Sequence, residues 1–402
     1  METRVPVLSK VLFFLVLAHL TRISVFNRPR DIEKFANIDS LAIVQIVIVI
    51  LIVIFLLRYF SFVQLSVKYY LRTPFIWFIL IYFVGILSTL WSKYPLYSFY
   101  RATESTILIF AIVTAFFWLS TGVIHEKYVL SLSILIIILG LIGMYRFVGF
   151  NLSLKAWHSN SYTAVAAMGF AYSAGEFLNR SRFFEKRRFG NYLIFFLLIL
   201  ILGTSSGSFI AALFGLFTAL FVNNRRRISF IILVVSVIAL IVYGYSDILL
   251  KTIFTGKSAS ELENLSGRMY LWELYWQIFL ANPVLGEGFA VTARINPLLP
   301  TTNTHNSFLA IATGMGIVGI IMFLMMLFAI FKFGISVRNY DSLYSKGTFA
   351  ALVTGIVNSM TISIIGEGWG GSQVVFTAFL TMIVLEKFQN EDSLCSEDNS
   401  RL

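Results

Sequence analysis

Apolar runs long enough to cross the hydrocarbon core of a bilayer, about 30 Å, recur along the whole chain between short polar stretches. They predict about a dozen helical spans, at residues 8–20, 41–57, 75–90, 106–122, 128–146, 162–178, 192–204, 208–222, 228–244, 306–331, 348–365 and 373–386. No polar block between them is large enough to fold as a separate soluble unit. The expectation is an all-α, polytopic membrane protein forming a single domain over residues 1–402. The longest interruption, residues 245–305, reads as a loop within that domain. Inside it Leu271, Trp272, Tyr275, Trp276, Phe279 and Leu280 recur at helical spacing and mark one apolar stripe. Tryptophan and tyrosine suit the headgroup level, so this segment is expected to be an interfacial helix lying flat on the membrane. Ser266 reads as its N-cap and Asn282-Pro283 as its stop. The first run, Val11 to Leu20, has no small-x-small cleavage site after it and reads as an uncleaved first helix.

Basic residues cluster between alternate spans: Arg58, Lys68 and Arg72; Arg180, Arg182, Lys186, Arg187 and Arg188; Arg225, Arg226 and Arg227; Lys332, Arg338 and Lys346. With an even number of spans these fall on one side, which the positive-inside rule makes cytoplasmic, and both termini lie there too. The long loop then faces outward together with 91–105, 147–161 and the turn from Glu367 to Gly371. Arg22, Arg28, Arg30 and Lys34 oppose this scheme by lying in the first outer loop, where Asp31, Glu33 and Asp39 partly offset them.

Composition narrows the class further. Hydrophobic residues make up 58% of the chain, charged residues 13%, and the mean hydropathy is +0.83, which excludes an ordinary soluble protein. The net charge of +11 sits mostly in short cytoplasmic loops facing anionic membrane lipid, and nucleic-acid binding is not required to explain it. A single cysteine, Cys395, excludes an internal disulfide and a thiolate metal site. No phosphate loop of the GxxxxGK[ST] type is present. Of the other histidines only His158 can join His305 on the outer side, too few ligands for a catalytic zinc, so no metal and no cofactor is expected.

Ionisable groups at the rim of a membrane bundle are costly and are functional candidates for that reason. Arg268 would occupy the first turn of the interfacial helix, where a guanidinium beside free backbone N–H groups suits phosphate oxygens. The same residue could instead be solvated or paired with Glu261 or Glu263. His305 opens the next span, where the helix dipole disfavours an imidazolium and leaves a neutral ring able to accept a proton. It could equally be a polar anchor. Asn306 and Thr304 beside it are placed to fix its tautomer or touch a substrate hydroxyl.

The series Ser266-Gly267-Arg268, Trp272, Pro283-Val284-Leu285-Gly286-Glu287-Gly288-Phe289, Thr304-His305-Asn306 and Gly314-Met315-Gly316-Ile317-Val318-Gly319 resembles the core signature of the O-antigen ligase and polysaccharide polymerase superfamily. Weaker matches lie upstream at Trp91-Ser92-Lys93-Tyr94-Pro95 leading to Arg101, at His158-Ser159-Asn160-Ser161, and at Thr204-Ser205-Ser206-Gly207-Ser208. The resemblance implies a metal-independent glycosyltransferase on the outer face of a bacterial cytoplasmic membrane. Its donor would be a glycan on a polyprenyl-pyrophosphate carrier and its acceptor a sugar on a second glycan or glycolipid. In that reading Arg268 stabilises the leaving pyrophosphate and His305 deprotonates the attacking hydroxyl, while Arg101, Asn306, His158, Asn160, Ser206, Gly207 and Arg294 are candidate substrate contacts. A flippase and a chain-length regulator are the protein partners such an enzyme would have.

Many members of that superfamily carry an arginine or lysine within the segment corresponding to 204–208, and this chain has none there. Arg101, Lys155 or Arg294, or the serine hydroxyls with the following helix N-terminus, are the available replacements. The modest outer loop and the missing cation favour a polymerase over a ligase. A lipid-linked oligosaccharide flippase is the rival of another class, but the chain shows no duplicated halves and its polar signals concentrate on the outer face.

Overall fold

The computed structural model describes residues 5–26, 39–61, 63–64, 71, 74–118, 122–223, 268–292, 303–337, 345–367 and 370–399. Its helices are α1 (Val5–Val25), α2 (Ser40–Arg58), α3 (Phe75–Leu87), α4 (Pro95–Trp118), α5 (Gly122–Val148), α6 (Asn160–Asn179) and α7 (Phe183–Gly203). They continue with α8 (Ser206–Asn223), α9 (Arg268–Ala281), α10 (Ser307–Val337), α11 (Ser345–Asn358) and α12 (Gly371–Asn399). Among the described residues five stretches are long and apolar enough to cross a membrane: Ser40–Arg58, Pro95–Trp118, His125–Val148, Ser206–Asn223 and Ser307–Gly334. Among the described residues the fold is all-helical, and the chain is an integral membrane protein. The expected span 228–244, most of the loop 245–305, Ser266 and Arg294 lie outside the described residues.

Local chemistry sets the helix starts. Asp39 caps α2 by accepting from Ala42 N–H at 2.8 Å, and Pro95 opens α4, where its missing N–H has no helical partner to lose. α4 therefore begins eleven residues before the span expected from residue 106, and Arg101 and Glu104 sit within the helix rather than on an outer loop. α6 carries Ala164, Ala166, Ala167, Gly169, Ala171, Ala174 and Gly175, small residues that let α7, α8 and α11 approach closely. A Cβ on Gly175 would fall 2.5 Å from the Gly347 Cα of α11, so backbone meets backbone there. α12 packs against α4, α5, α6 and α11 and closes the bundle.

Three expectations change at helix ends. The span 348–365 stops as a helix at Asn358, and residues 359–367 fold as a turn-rich segment across the bundle end. The span 306–331 is interrupted at Gly316, whose φ of 62° and ψ of −154° only glycine adopts without strain. The freed groups are taken up by the turn at residues 283–288: Glu287 N–H donates to Thr313 O at 2.8 Å, Gly288 N–H to Gly314 O at 2.9 Å, and Ile317 N–H to Pro283 O at 2.8 Å. Irregular backbone at membrane depth persists where protein satisfies it in this way. Finally, α9 does not lie free on a surface. Leu271 and Tyr275 pack with Leu309, and Phe279 packs with Ala312 and Ile320, so α9 runs along α10 in the same direction.

The starts of α4, α6, α8 and α10 and the end of α11 share one end of the bundle. At the opposite end Arg180 pairs with Glu176 at 2.9 Å and with Glu126 at 3.4 Å, and Arg188 also pairs with Glu126. The basic cluster of residues 180–188 is thus a bundle length away from His158 and His305.

Candidate functional site

At the first of these ends, α10 begins with Asn306, whose side-chain oxygen accepts from Leu309 N–H at 3.2 Å in the manner of an N-cap. Asn306 is buried and its amide oxygen is engaged by the helix, so it serves the backbone rather than presenting that atom to a substrate. His305 stands one residue outside the helix with φ 52°, in the left-handed region that a side chain with a Cβ disfavours. Its N–H donates to Asn303 Oδ1 at 2.7 Å. Thr304 is fixed from the other side: its N–H donates to Glu367 Oε1 at 2.9 Å and its hydroxyl contacts the same oxygen at 2.6 Å. Ser307 N–H donates to Ser359 O at 2.8 Å, and the Ser307 hydroxyl accepts from Ile364 N–H and Ile365 N–H, both at 3.0 Å. The half-buried imidazole is therefore carried on a turn held by the segment between α11 and α12.

That segment also reaches the second group of candidates. Thr204 ends α7 in the left-handed conformation with φ 48°, and its hydroxyl lies 3.4 Å from His158 Nδ1. Ser205 donates to Asn160 Oδ1 at 2.8 Å, Asn358 donates to the Ser208 hydroxyl at 3.2 Å, and Thr361 contacts Asn358 at 3.1 Å. His158, Asn160 and the 204–208 turn therefore come together, joined through Asn358, Ser359 and Thr361 to the His305 turn. Gly207 has a packing role, since a Cβ there would sit 2.4 Å from Thr361 Oγ1. Ser206 opens α8 beside it and is half-buried.

Arg268 is the first described residue of α9 and is half-buried. Its helix packs on α10 through Leu271 and Leu309, which lie three and four residues beyond Arg268 and His305 respectively. The two candidates thus stand at the same end of two helices running in parallel. Among the described residues no carboxylate pairs with Arg268. Burial pulls its pKa below the ordinary value, and a guanidinium stays protonated regardless. Arg101 is not open in the same way: it is buried and pairs with Glu104 at 2.5 Å. Glu104 in turn accepts from Gln45 and lies 3.5 Å from the fully buried His19. Arg101 is also close enough to Glu367 for their charges to interact.

Sequence reading singled out Arg268, His305 and the 204–208 turn but missed the partners that hold them. Glu367, Ser363, Asn303 and Asn358 carry that framework, and the only local signal was a set of polar residues flanking Gly366 and the span ends. Lys93 pairs with Glu287 at 2.5 Å and fastens the Trp91–Pro95 turn to the 283–288 turn, so those two segments act as structural braces. Among the described residues no group of three His, Cys, Asp or Glu side chains is arranged to hold a metal ion.

Residues 192–324 match a protein-family model described as O-Antigen ligase. The matched stretch runs from α7 into α10 and so includes the 204–208 turn, Arg268, the 283–288 turn and His305. No curated protein matches the chain.

Proposed function

We propose, from the premise that this chain belongs to the O-antigen ligase and polymerase superfamily, that it polymerises a bacterial surface polysaccharide on the outer face of the inner membrane. The donor is a glycan linked to a polyprenyl pyrophosphate and the acceptor is a hydroxyl of a second glycan. His305 takes the proton of that hydroxyl, the oxygen attacks the anomeric carbon, and the bond from that carbon to the pyrophosphate oxygen breaks with inversion. The pyrophosphate leaves with the electron pair, and Arg268 stabilises the charge as it develops. Such a displacement needs one base and a stabilised leaving group, with no carboxylate nucleophile.

The observation that carries this reading is the parallel packing of α9 on α10, with Arg268 and His305 each within about one helical turn of the Leu271–Leu309 contact. The half-buried guanidinium without a carboxylate partner among the described residues suits an anionic ligand. Asn160, Ser206 and His158 are proposed to contact the glycan beside it, and Arg294 to supply a further cation. The basic cluster at the opposite end supports the assignment of the site to the outer face.

One observation favours a second reading, transfer of finished glycan to a lipid A core: the matched family model is described as an O-Antigen ligase. Purified protein given lipid-pyrophosphate-linked glycan in detergent separates the outcomes. A polymerase lengthens the lipid-linked glycan, a ligase releases carrier only when a lipid A core is added, and a transporter leaves the glycan unchanged in both mixtures.

A further inference from the structure

We propose that Glu367 is a positioning residue for His305, acting through Thr304. The inference rests on His305 being the base. Glu367 is 3% exposed and sits at the end of the segment that crosses from α11 to α12. Its Oε1 receives both the N–H and the hydroxyl of Thr304, at 2.9 and 2.6 Å. A threonine hydroxyl has one proton to give, and the competing acceptors, Asn306 O at 3.0 Å and the Ser363 hydroxyl at 2.5 Å, are uncharged. The carboxylate is the stronger acceptor, so the proton goes to Glu367 and a lone pair of Thr304 Oγ1 faces Asn306 N–H at 3.4 Å.

This matters because His305 occupies a backbone region that persists only when its surroundings over-determine it. Asn303 Oδ1 holds its N–H, and Ser363 holds Asn303 at 3.0 Å. Glu367 holds Thr304, the residue between those two, by two bonds to one oxygen. Removing that acceptor leaves the buried Thr304 N–H unmet, turns its hydroxyl toward Asn306 O, and frees the peptide that sets the position of the imidazole. A buried carboxylate at the end of a loop could simply stabilise the fold, and the two roles part in their kinetics. A fold-stabilising residue changes the amount of active protein, whereas a positioning residue changes turnover per folded molecule.

The test compares Glu367→Ala and Glu367→Gln in the transfer assay, with hydrogen–deuterium exchange on the same detergent-solubilised proteins. Glu367→Ala is expected to lower kcat about ten- to a hundred-fold, with KM for the lipid-linked glycan within about three-fold. Exchange should rise across residues 303–307. Glutamine keeps a carbonyl oxygen for both Thr304 donors, so Glu367→Gln is expected to restore kcat to within about five-fold of wild type. Wild-type kcat in Glu367→Ala, unchanged exchange at 303–307, or a glutamine variant as impaired as the alanine variant would each overturn the proposal. Should Glu367→Ala fail to fold, Thr304→Val carries the test, because it removes the hydroxyl donor alone. A loss of about ten-fold in kcat supports the assignment and an unchanged kcat defeats it. A wild-type protein that makes no product overturns the transferase reading, while the exchange comparison still decides whether Glu367 holds the turn.

Discussion

The Asn358 side chain donates to the Ser208 hydroxyl at 3.2 Å, and this bond ties the end of α11 to the first turn of α8. Through it the 204–208 turn and the His305 turn become parts of one polar layer. Ser208 also contacts Thr163 at 3.1 Å, so one lost bond leaves the hydroxyl partly satisfied. Asn358→Ala should therefore cost about 1 kcal/mol of stability, seen as a small fall in apparent Tm in detergent. Its larger effect should be on KM for the glycan.

Arg268→Lys should be severely impaired, by about a hundred-fold in kcat/KM, because an ammonium lacks the planar fork that engages a pyrophosphate in two places. Steady-state kinetics on the lipid-linked donor check this. A lysine variant with wild-type kinetics would reduce Arg268 to a general counter-ion.

The helical class, five apolar helices long enough to cross a membrane and the residues of the signature were legible in the sequence because each rests on a local rule: run length, spacing or residue type. Long-range relationships were not. Gly314-Met315-Gly316 read as part of a continuous helix, since nothing local says that Thr313 O and Gly314 O will be claimed by N–H groups from the 283–288 turn. Arg101 read as a loop residue because its polar neighbours hid a helix start at Pro95, and its pairing with Glu104 satisfies a charge that would otherwise disfavour the span. Glu367 read only as part of an outer turn, because its partner Thr304 lies more than sixty residues away.

Gly316→Ala should be far more damaging than Gly149→Ala. Both glycines have positive φ, 62° and 66°, but a Cβ on Gly316 would sit 2.2 Å from Val284 O while nothing lies within 4 Å of one on Gly149. The expected costs are about 2–4 kcal/mol against about 1 kcal/mol, read as the difference in apparent Tm between the two variants. Equal effects would mean that the break in α10 is not held as the hydrogen bonds imply.

His305→Ala should abolish glycan transfer while leaving the Kd for lipid-linked glycan within about three-fold, because it removes proton transfer and leaves the anion site in place. Binding measured on the detergent-purified variant beside a turnover assay separates the two effects. Near-normal turnover would remove His305 from the chemistry.

The proximity of Arg268 and His305 is best tested by chemical cross-linking of Arg268→Cys/His305→Cys in a Cys395→Ser background, where these are the only two thiols. A short bis-maleimide applied to intact cells is expected to bridge the pair within one chain, and a membrane-impermeant maleimide applied first should block it. Two thiols that react only from opposite faces, or that never bridge although both are labelled, would contradict a shared outward-facing pocket.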